Sequence, residues 1–397
     1  MKLFKRIAVA LALGSALAIG ATQAQDIKIG YNADMSGTAV AEHGLAARWG
    51  FEAAIEDINK NGGLLGRKVV GVIRDDLGTP PKSIQNMTEL IDNEKVIAVI
   101  GPANSGNALA WLHLPQAAKI PVIGATATAT EITTRYAKEP QNYMFRLSMV
   151  DREQVALLAA YAVKASKNKK IAIIADSTGY GQAGVKDAAE VLGMHGIKPV
   201  LIEKFGPRDT DITSQMTKIK NTGADAVIIY AIADGAANVM KSMEKINYFP
   251  VSLGTWGNLS SLYHRMTGPK LAPHLIIAAS TTEDSNDRTK ALGERVRKNF
   301  PTMTTFVCAA QAYDGVMLLA AAITKVGTTD GAKVAAALED LSGVQGVIKL
   351  YDKPFTKTKH DGLSVDDFYL AKWTEAGTIV RFQDDILKSI TAADLKR

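Results

Sequence analysis

Twice in succession between residues 96 and 130, a short apolar run stops at a glycine and gives way to small residues, several bearing hydroxyls. Val96 to Ile100 ends at Gly101-Pro102, and a helix-type pattern opens at Asn104 or Ser105; Pro121 to Ile123 ends at Gly124, followed by Thr126, Thr128 and Thr130. Runs this short and this apolar fit strands buried on both faces, as in a parallel sheet covered by helices. Helix N-termini carry unpaired N–H groups and the positive end of the helix dipole. Two such ends in adjacent strand–helix units would make a cradle for a small carboxylate. Ser105 and the threonines are also readable as ordinary N-caps, so the rest of the chain has to decide.

The alternation extends in both directions. Strand-like runs at Ile27 to Asn32, Lys68 to Arg74 and Val96 to Ile100 are followed by Val122 to Ala125. Between them, Gly44 to Asn61, Pro80 to Glu94 and Ser105 to Ala118 have helical spacing, the first stopped by Gly62-Gly63. After Phe145-Arg146-Leu147 the pattern starts again. Helices are expected at Asp151 to Ala165, Tyr180 to Gly193, Asp211 to Asn221 and Asp234 to Ile246, and strands at Ile171 to Ala175, Pro199 to Lys204, Ala226 to Ala231, Val251 to Gly254 and Leu275 to Ser280. Two further helices, around Asp287 to Lys298 and Val307 to Val326, precede a change of character. Gly346 to Tyr351, Asp367 to Trp373 and Ile379 to Phe382 read as antiparallel strands. The α/β rhythm written twice implies two sheet-centred lobes, and at 397 residues the chain exceeds what one core usually holds. Ligands of open α/β sheets sit beyond the carboxyl ends of the strands, so a cleft between two such lobes is the expected site.

The first 24 residues stand apart from this pattern. Lys2, Lys5 and Arg6, the apolar stretch Ile7 to Gly20 and the small-residue exit Ala21-Thr22-Gln23-Ala24 have the form of a secretory signal peptide cleaved after Ala24. No later run is read as a membrane span. Loss of three basic residues lowers the formal net charge from +6 to +3, and no basic cluster with interleaved aromatics is present, which argues against nucleic-acid binding. The single cysteine, Cys308, leaves no internal disulfide, and no cysteine follows the cleavage point to carry a lipid anchor. The expected address is the periplasm. The six histidines lack zinc-type spacing, and Asp75-Asp76 reads first as a charged strand end. GPANSGN has no phosphate-loop lysine, and GYGQAG at 179–184 places its last glycine one position late for a dinucleotide fingerprint. Neither a metal nor a cofactor is expected.

At ADMSGTAVAEHG, DINKNGGLLGRKV, IGPANSG, GATATATEIT and DSTGYGQAG the chain resembles the branched-chain amino-acid (Leu/Ile/Val) binding protein family, the exported solute receptors of ABC importers. The motifs run in family order and at family spacing from about Ile27 to the end. The resemblance implies an α/β fold of two Rossmann-like lobes with parallel-sheet cores joined by three crossover strands, the type I periplasmic binding protein architecture. The crossings are expected near 147, 280 and 357. That divides the chain into a signal peptide (1–24), one lobe from 25–147 plus 281–357, and a second from 148–280 plus 358–397. It further implies a monomer that hands its solute to membrane permease subunits.

Carried over residue by residue, the resemblance assigns the ligand carboxylate to Ser105 beside Asn104, and to the loop Thr126, Ala127 and Thr128. Tyr180 supplies an aromatic wall. Three positions depart from the amino-acid pattern: a first-loop tyrosine becomes His43 or its neighbour Glu42, a second tyrosine becomes Ile232, and the acid that pairs the α-ammonium becomes Trp256. A buried ammonium without a partner costs several kcal/mol, on the order of what decides a ligand class. The expectation is therefore a carboxylate without an ammonium, with an aromatic or otherwise apolar body. Two ways back to an amino acid stay open: a cation over the Trp256 ring, or Asp234 standing in for the missing acid. A ligand sensor on the same fold is the second reading. An enzyme is the third, for which no nucleophile or acid–base pair is placed in the cleft.

Overall fold

The computed structural model describes residues 25–301, 303 and 305–397; the signal peptide expected at 1–24 lies outside them. The first lobe grows from β1 (Ile27–Ala33), α1 (Ala41–Lys60), β2 (Val69–Asp75), α2 (Pro80–Thr88), β3 (Ala98–Ile100), α3 (Ser105–Trp111), α4 (His113–Ala118), β4 (Val122–Gly124), α5 (Glu131–Thr134) and β5 (Met144–Arg146). Its five strands are parallel in the order β2-β1-β3-β4-β5. Val99, Ile100, Val122 and Ile123 are fully buried because helices cover both faces, which is why these strands read as unbroken apolar runs. Two expected helices are modified. The helix over 105–118 breaks at Leu112, since Pro115 has no N–H to return to the Trp111 carbonyl. The segment over 80–94 widens into a π-helical turn at Glu89–Asn93.

The second lobe comprises α6 (Asp151–Ala165), β6 (Ile171–Asp176), α7 (Gly179–Met194), β7 (Ile202–Phe205), α8 (Thr213–Asn221), β8 (Ala226–Tyr230), α9 (Ala233–Lys245), β9 (Val251–Gly254), α10 (Ser261–Thr267) and β10 (Leu275–Ala279). The chain then adds α11 (Asp287–Asn299), α12 (Phe306–Val326) and α13 (Gly331–Leu338) to the first lobe. By length and composition α12 could cross a bilayer, contrary to the sequence reading. However, 83% of its most apolar window is buried in the protein, so it is a core helix. It lies against α1 so closely that a Cβ on Gly50 would meet the Ala309 carbonyl oxygen at 1.9 Å. Around residues 346–351, where antiparallel strands and hairpins are expected, β11 (Val344–Gln345) and β12 (Leu350–Tyr351) form a minimal antiparallel pair. Finally β13 (Tyr369–Trp373) joins β10 antiparallel and β14 (Ile379–Arg381) joins β13, completing a seven-stranded sheet ordered β14-β13-β10-β9-β8-β6-β7.

The chain passes between the sheets after β5, after β10 and between β12 and β13. Two of these passages lie side by side, with Arg146 and Asp361 in parallel register. The Arg146 guanidinium is fully buried and reaches Asp361 at 2.6 Å, the Ala129 carbonyl at 2.8 Å and the Thr133 hydroxyl at 2.9 Å. Its charge and donors are thus matched, the condition under which a buried cation is tolerated. This hinge clamp also fixes the loop after β4, which carries the threonines.

Candidate functional site

The carboxyl ends of β3, β4, β6, β8 and β9 converge on a cavity between the lobes. From the first lobe, His43 of α1, Asn104 and Ser105 at the start of α3, and Thr126, Ala127 and Thr128 after β4 line it. From the second come Tyr180 of α7, Ile232 before α9, and Trp256 in the turn after β9. Nine of the residues singled out from sequence therefore share one cavity. Asp234 does not: it is the second residue of α9, where its carboxylate accepts the Gly235 N–H at 2.9 Å, and it is absent from the lining. Val40, Ala103 and Gly257, which the sequence reading did not name, complete the wall.

The anion cradle is built differently from its expectation. Asn104, not Ser105, caps α3, accepting the Gly106 N–H at 3.0 Å. That leaves the Ser105 hydroxyl to accept the N–H groups of Thr128 and Ala129, each at 3.2 Å. The Ala127 N–H goes to the Pro102 carbonyl. So the N–H groups of Ala127 and Thr128 are engaged within the protein. The segment after β4 is a loop rather than a helix start; α5 begins only at Glu131 and is four residues long. The chemical result is still a donor. With two N–H groups on its oxygen, the Ser105 hydroxyl has its own proton left to give, and such a chain polarises the O–H.

Behind this wall lies a residue the sequence reading passed over. Asp151 opens α6, is fully buried, and its N–H donates to the Thr128 carbonyl at 2.9 Å. One carboxylate oxygen lacks a hydrogen bond of normal geometry, as does the Tyr230 hydroxyl that faces it. Burial pushes the Asp151 carboxyl up to about 7; the hydroxyls of Thr128 and Tyr230 and the Arg146 charge oppose the rise, and Asp187 adds to it. An aspartate at a helix start looks like an N-terminal charge in any sequence, so only its burial gives it away.

The opposite wall is aromatic. Tyr180 donates to the Thr255 hydroxyl at 2.6 Å and packs at a tilt against Tyr230, ring centroids 5.0 Å apart. Trp256 is held by its N–H to Gln154 at 3.2 Å and meets the His43 ring edge-on at 5.3 Å. No carboxylate lines the cavity among the described residues. At the rim, the Glu42 carboxylate crosses to Arg265 at 2.7 Å and to the Ser260 hydroxyl at 2.6 Å, so His43 rather than Glu42 faces inward. On the other rim, the Thr130 hydroxyl donates to Asp187 at 2.7 Å. Between them, α3 and α7 meet at Gly106 and Gly179, where a Cβ on Gly179 would stand 2.9 Å from the Gly106 Cα.

Elsewhere, carboxylate oxygens of Asp34, Asp75 and Asp76 lie within 4.8 Å of one another, the one group of metal-type ligands found among the described residues. Each is committed to loop geometry: Asp34 accepts Gly37 N–H, Asp75 accepts Met35 and Leu77 N–H, and Asp76 accepts Gly78 N–H and the Asn107 amide.

A family model described as "Periplasmic binding protein" matches residues 26–378. The chain is 28% identical over 382 residues to "Leu/Ile/Val-binding protein homolog 3" of Brucella melitensis, covering 96% of this chain and 99% of that protein. Its structure resembles a periplasmic binding protein type 1 from Bordetella pertussis, with a TM-score of 0.81 at 24% identity over 91% of this chain and 100% of the other. It also resembles the substrate-binding protein LivJ of Streptococcus pneumoniae in complex with isoleucine, with a TM-score of 0.75 at 23% identity over 90% and 100%. At these identities the structural likeness speaks to the fold.

Proposed function

The chain belongs to the periplasmic binding protein family, with the type I fold, and on that premise we propose that it is the exported solute receptor of an ABC importer for a small organic carboxylate. In this reading it works in the periplasm as a monomer and acts by binding, not turnover. The ligand carboxylate accepts a hydrogen bond from the Ser105 hydroxyl and sits by Thr126 and Thr128, while Tyr180, Ile232 and Trp256 cover an apolar, preferentially aromatic body. Contacts from both lobes favour the closed form, because an open cleft satisfies only one side of the ligand.

The observation that carries the ligand class is the lining itself: Trp256 contributes an apolar face, and no acid stands in the cavity to pair an ammonium. A second reading, import of branched-chain or other amino acids, is favoured by what the named relatives are called and by Asp151 lying just behind Thr128.

A thermal-shift panel of amino acids against aromatic and aliphatic carboxylates separates the two. Ligand at about 100 times its dissociation constant adds roughly 2.7 kcal/mol of stability. Benzoate-type or aliphatic acids are expected to lead; leucine, isoleucine or valine leading would overturn the acid reading and leave the amino-acid one.

A further inference from the structure

Gln154 is not part of the cavity lining, yet it joins the two walls. It lies on the first turn of α6, fully buried, three residues after Asp151. Both halves of its amide are engaged: Oε1 accepts the Trp256 N–H at 3.2 Å, and Nε2 donates to the Asp151 carboxylate at 3.4 Å. Asp151 in turn gives its own N–H to the Thr128 carbonyl at 2.9 Å, and the Thr128 N–H goes to the Ser105 hydroxyl at 3.2 Å. A continuous hydrogen-bonded chain thus runs from the Ser105 oxygen on the first lobe to the backbone of Trp256 on the second. The Trp256 turn has other supports: the Thr255 hydroxyl accepts from Tyr180, the Asn258 amide donates to the Thr255 carbonyl at 3.0 Å, and Trp373 Nε1 donates to the Asn258 carbonyl at 2.8 Å. Those bonds stay within the second lobe, whereas the path through Gln154 continues to the first. A methionine would fill the same volume with no amide to satisfy, so what the amide adds at this position is direction. Buried and bonded at both ends, it cannot turn without leaving a polar group unpaired.

We propose that Gln154 is a positioning residue for ligand binding: it sets the depth of the Trp256 ring over the Ser105–Thr128 end of the cavity, and so the size of body that fits between them. The inference rests on the proposed function, in which Trp256 covers the ligand's body. It does not depend on whether the head group also bears an ammonium. Without Gln154 the Trp256 turn keeps its second-lobe bonds, but its distance from the first wall is no longer specified.

The test is calorimetric titration at neutral pH of two pairs that share a head group and differ in body: benzoate with hexanoate, and phenylalanine with leucine. Gln154→Met keeps an unbranched side chain of similar length and loses both hydrogen bonds. The affinity ratio within a pair that binds should shift by about three- to tenfold, the scale on which members of one hydrogen-bonded network couple. Gln154→Glu, which still offers an oxygen to the Trp256 N–H, should return part of the way. In a Trp256→Ala background, Gln154→Met should leave the ratio unchanged. Affinities that fall by one common factor in Gln154→Met, with the ratio preserved, mean that Gln154 only supports the fold and overturn the inference; so does a shift that persists without the Trp256 ring. If Gln154→Met does not fold, amide exchange in the natural protein decides. Acetate (or glycine, if only the amino acids bind) is a head group without a body, and it should still slow exchange of the Trp256 N–H along with those of Thr128 and Asp151. No slowing at Trp256 overturns the inference. Binding of the amino-acid pair alone ends the carboxylate reading and leaves this ratio test intact; if neither pair binds, Trp256 has no body to cover and both fall.

Discussion

The two walls of the cleft are made by opposite means. Around Ser105 on the first lobe the polar atoms are spoken for by the protein: Ser105 accepts two N–H groups, Asn104 caps α3, and Pro102 holds Ala127. On the second, three separate strand ends deliver the large side chains of Tyr180, Ile232 and Trp256. On the proposed function, the Ser105–Thr128 part of the first wall is the anchor for a carboxylate and the second wall is the selector. One side would fix the head group and the other would read the body.

The harshest test of this division is Ser105→Ala. It removes the donated proton and also orphans the N–H groups of Thr128 and Ala129. Loss of a hydrogen bond to a charged group costs about 2–3 kcal/mol, roughly 30- to 150-fold in Kd, and the orphaned donors lower ligand-free stability by about 1–3 kcal/mol. Calorimetry should show every acid weakened by a similar factor with their ranking preserved. A reordered ranking would mean that the anchor also selects.

Trp256→Glu attacks the selector. Placing a second negative charge in the cavity should weaken acids by about ten- to a hundredfold, and it supplies the partner an ammonium lacks. Amino acids should then gain relative to acids in the same titrations; an unchanged preference would break the assignment of Trp256.

This contrast also explains how much of the site is legible in the sequence. Strand ends announce themselves as apolar runs stopped by glycine, which makes Ser105, Thr126 and Thr128 legible from the pattern, while Tyr180 and Trp256 come from the family resemblance; all five line the cavity. What failed was hydrogen-bond accounting. Whether Ser105 caps its helix or receives the 128 and 129 N–H groups depends on how two loops cross, and no local pattern encodes that. Asp151 and Asp234 make the same point in opposite directions. Both are aspartates at helix starts, yet one is sealed behind the cavity and the other lies outside its wall. The fold was legible because burial on both faces imposes composition; the pairing of polar atoms was not.

Asp151 gives the comparison a pH axis. Its carboxyl is raised to about 7 by burial in the closed protein, faced by Asp187, Arg146, Tyr180 and Tyr230. Its protonated form is therefore favoured by folding, so this contribution to stability is fully present below the ordinary carboxylate range and is lost as pH rises through about 7. A bound carboxylate nearby also favours the protonated form, so affinity for an acid should fall between pH 6 and pH 8, and Asp151→Asn should flatten that slope. An ammonium nearby would favour the ionised carboxylate and reverse the dependence, so a rising profile for leucine beside a falling one for an acid would sharpen the ligand assignment.

The smallest effect is expected at the rim, and it decides whether closure belongs to the walls at all. Glu42 and Arg265 span the cleft at 2.7 Å, but the Arg265 side chain is 55% exposed, so the pair is screened by water and salt. Exposed pairs are worth about 0.2–1 kcal/mol. Arg265→Ala should therefore weaken any ligand less than about fivefold, chiefly by faster release in stopped-flow measurements, with the ranking of acids untouched. Raising salt toward ~1 M, where the screening length shrinks to about 3 Å, should slow or speed the variant's release far less than that of the natural protein. The other rim provides the control. Asp187, only 8% exposed and held by Thr130 and Arg152, should lose more on Asp187→Asn and respond less to salt. If Arg265→Ala instead costs tenfold or more, an exposed latch rather than the two walls governs the closed state, and the division into anchor and selector would have to give way to a rim-driven closure.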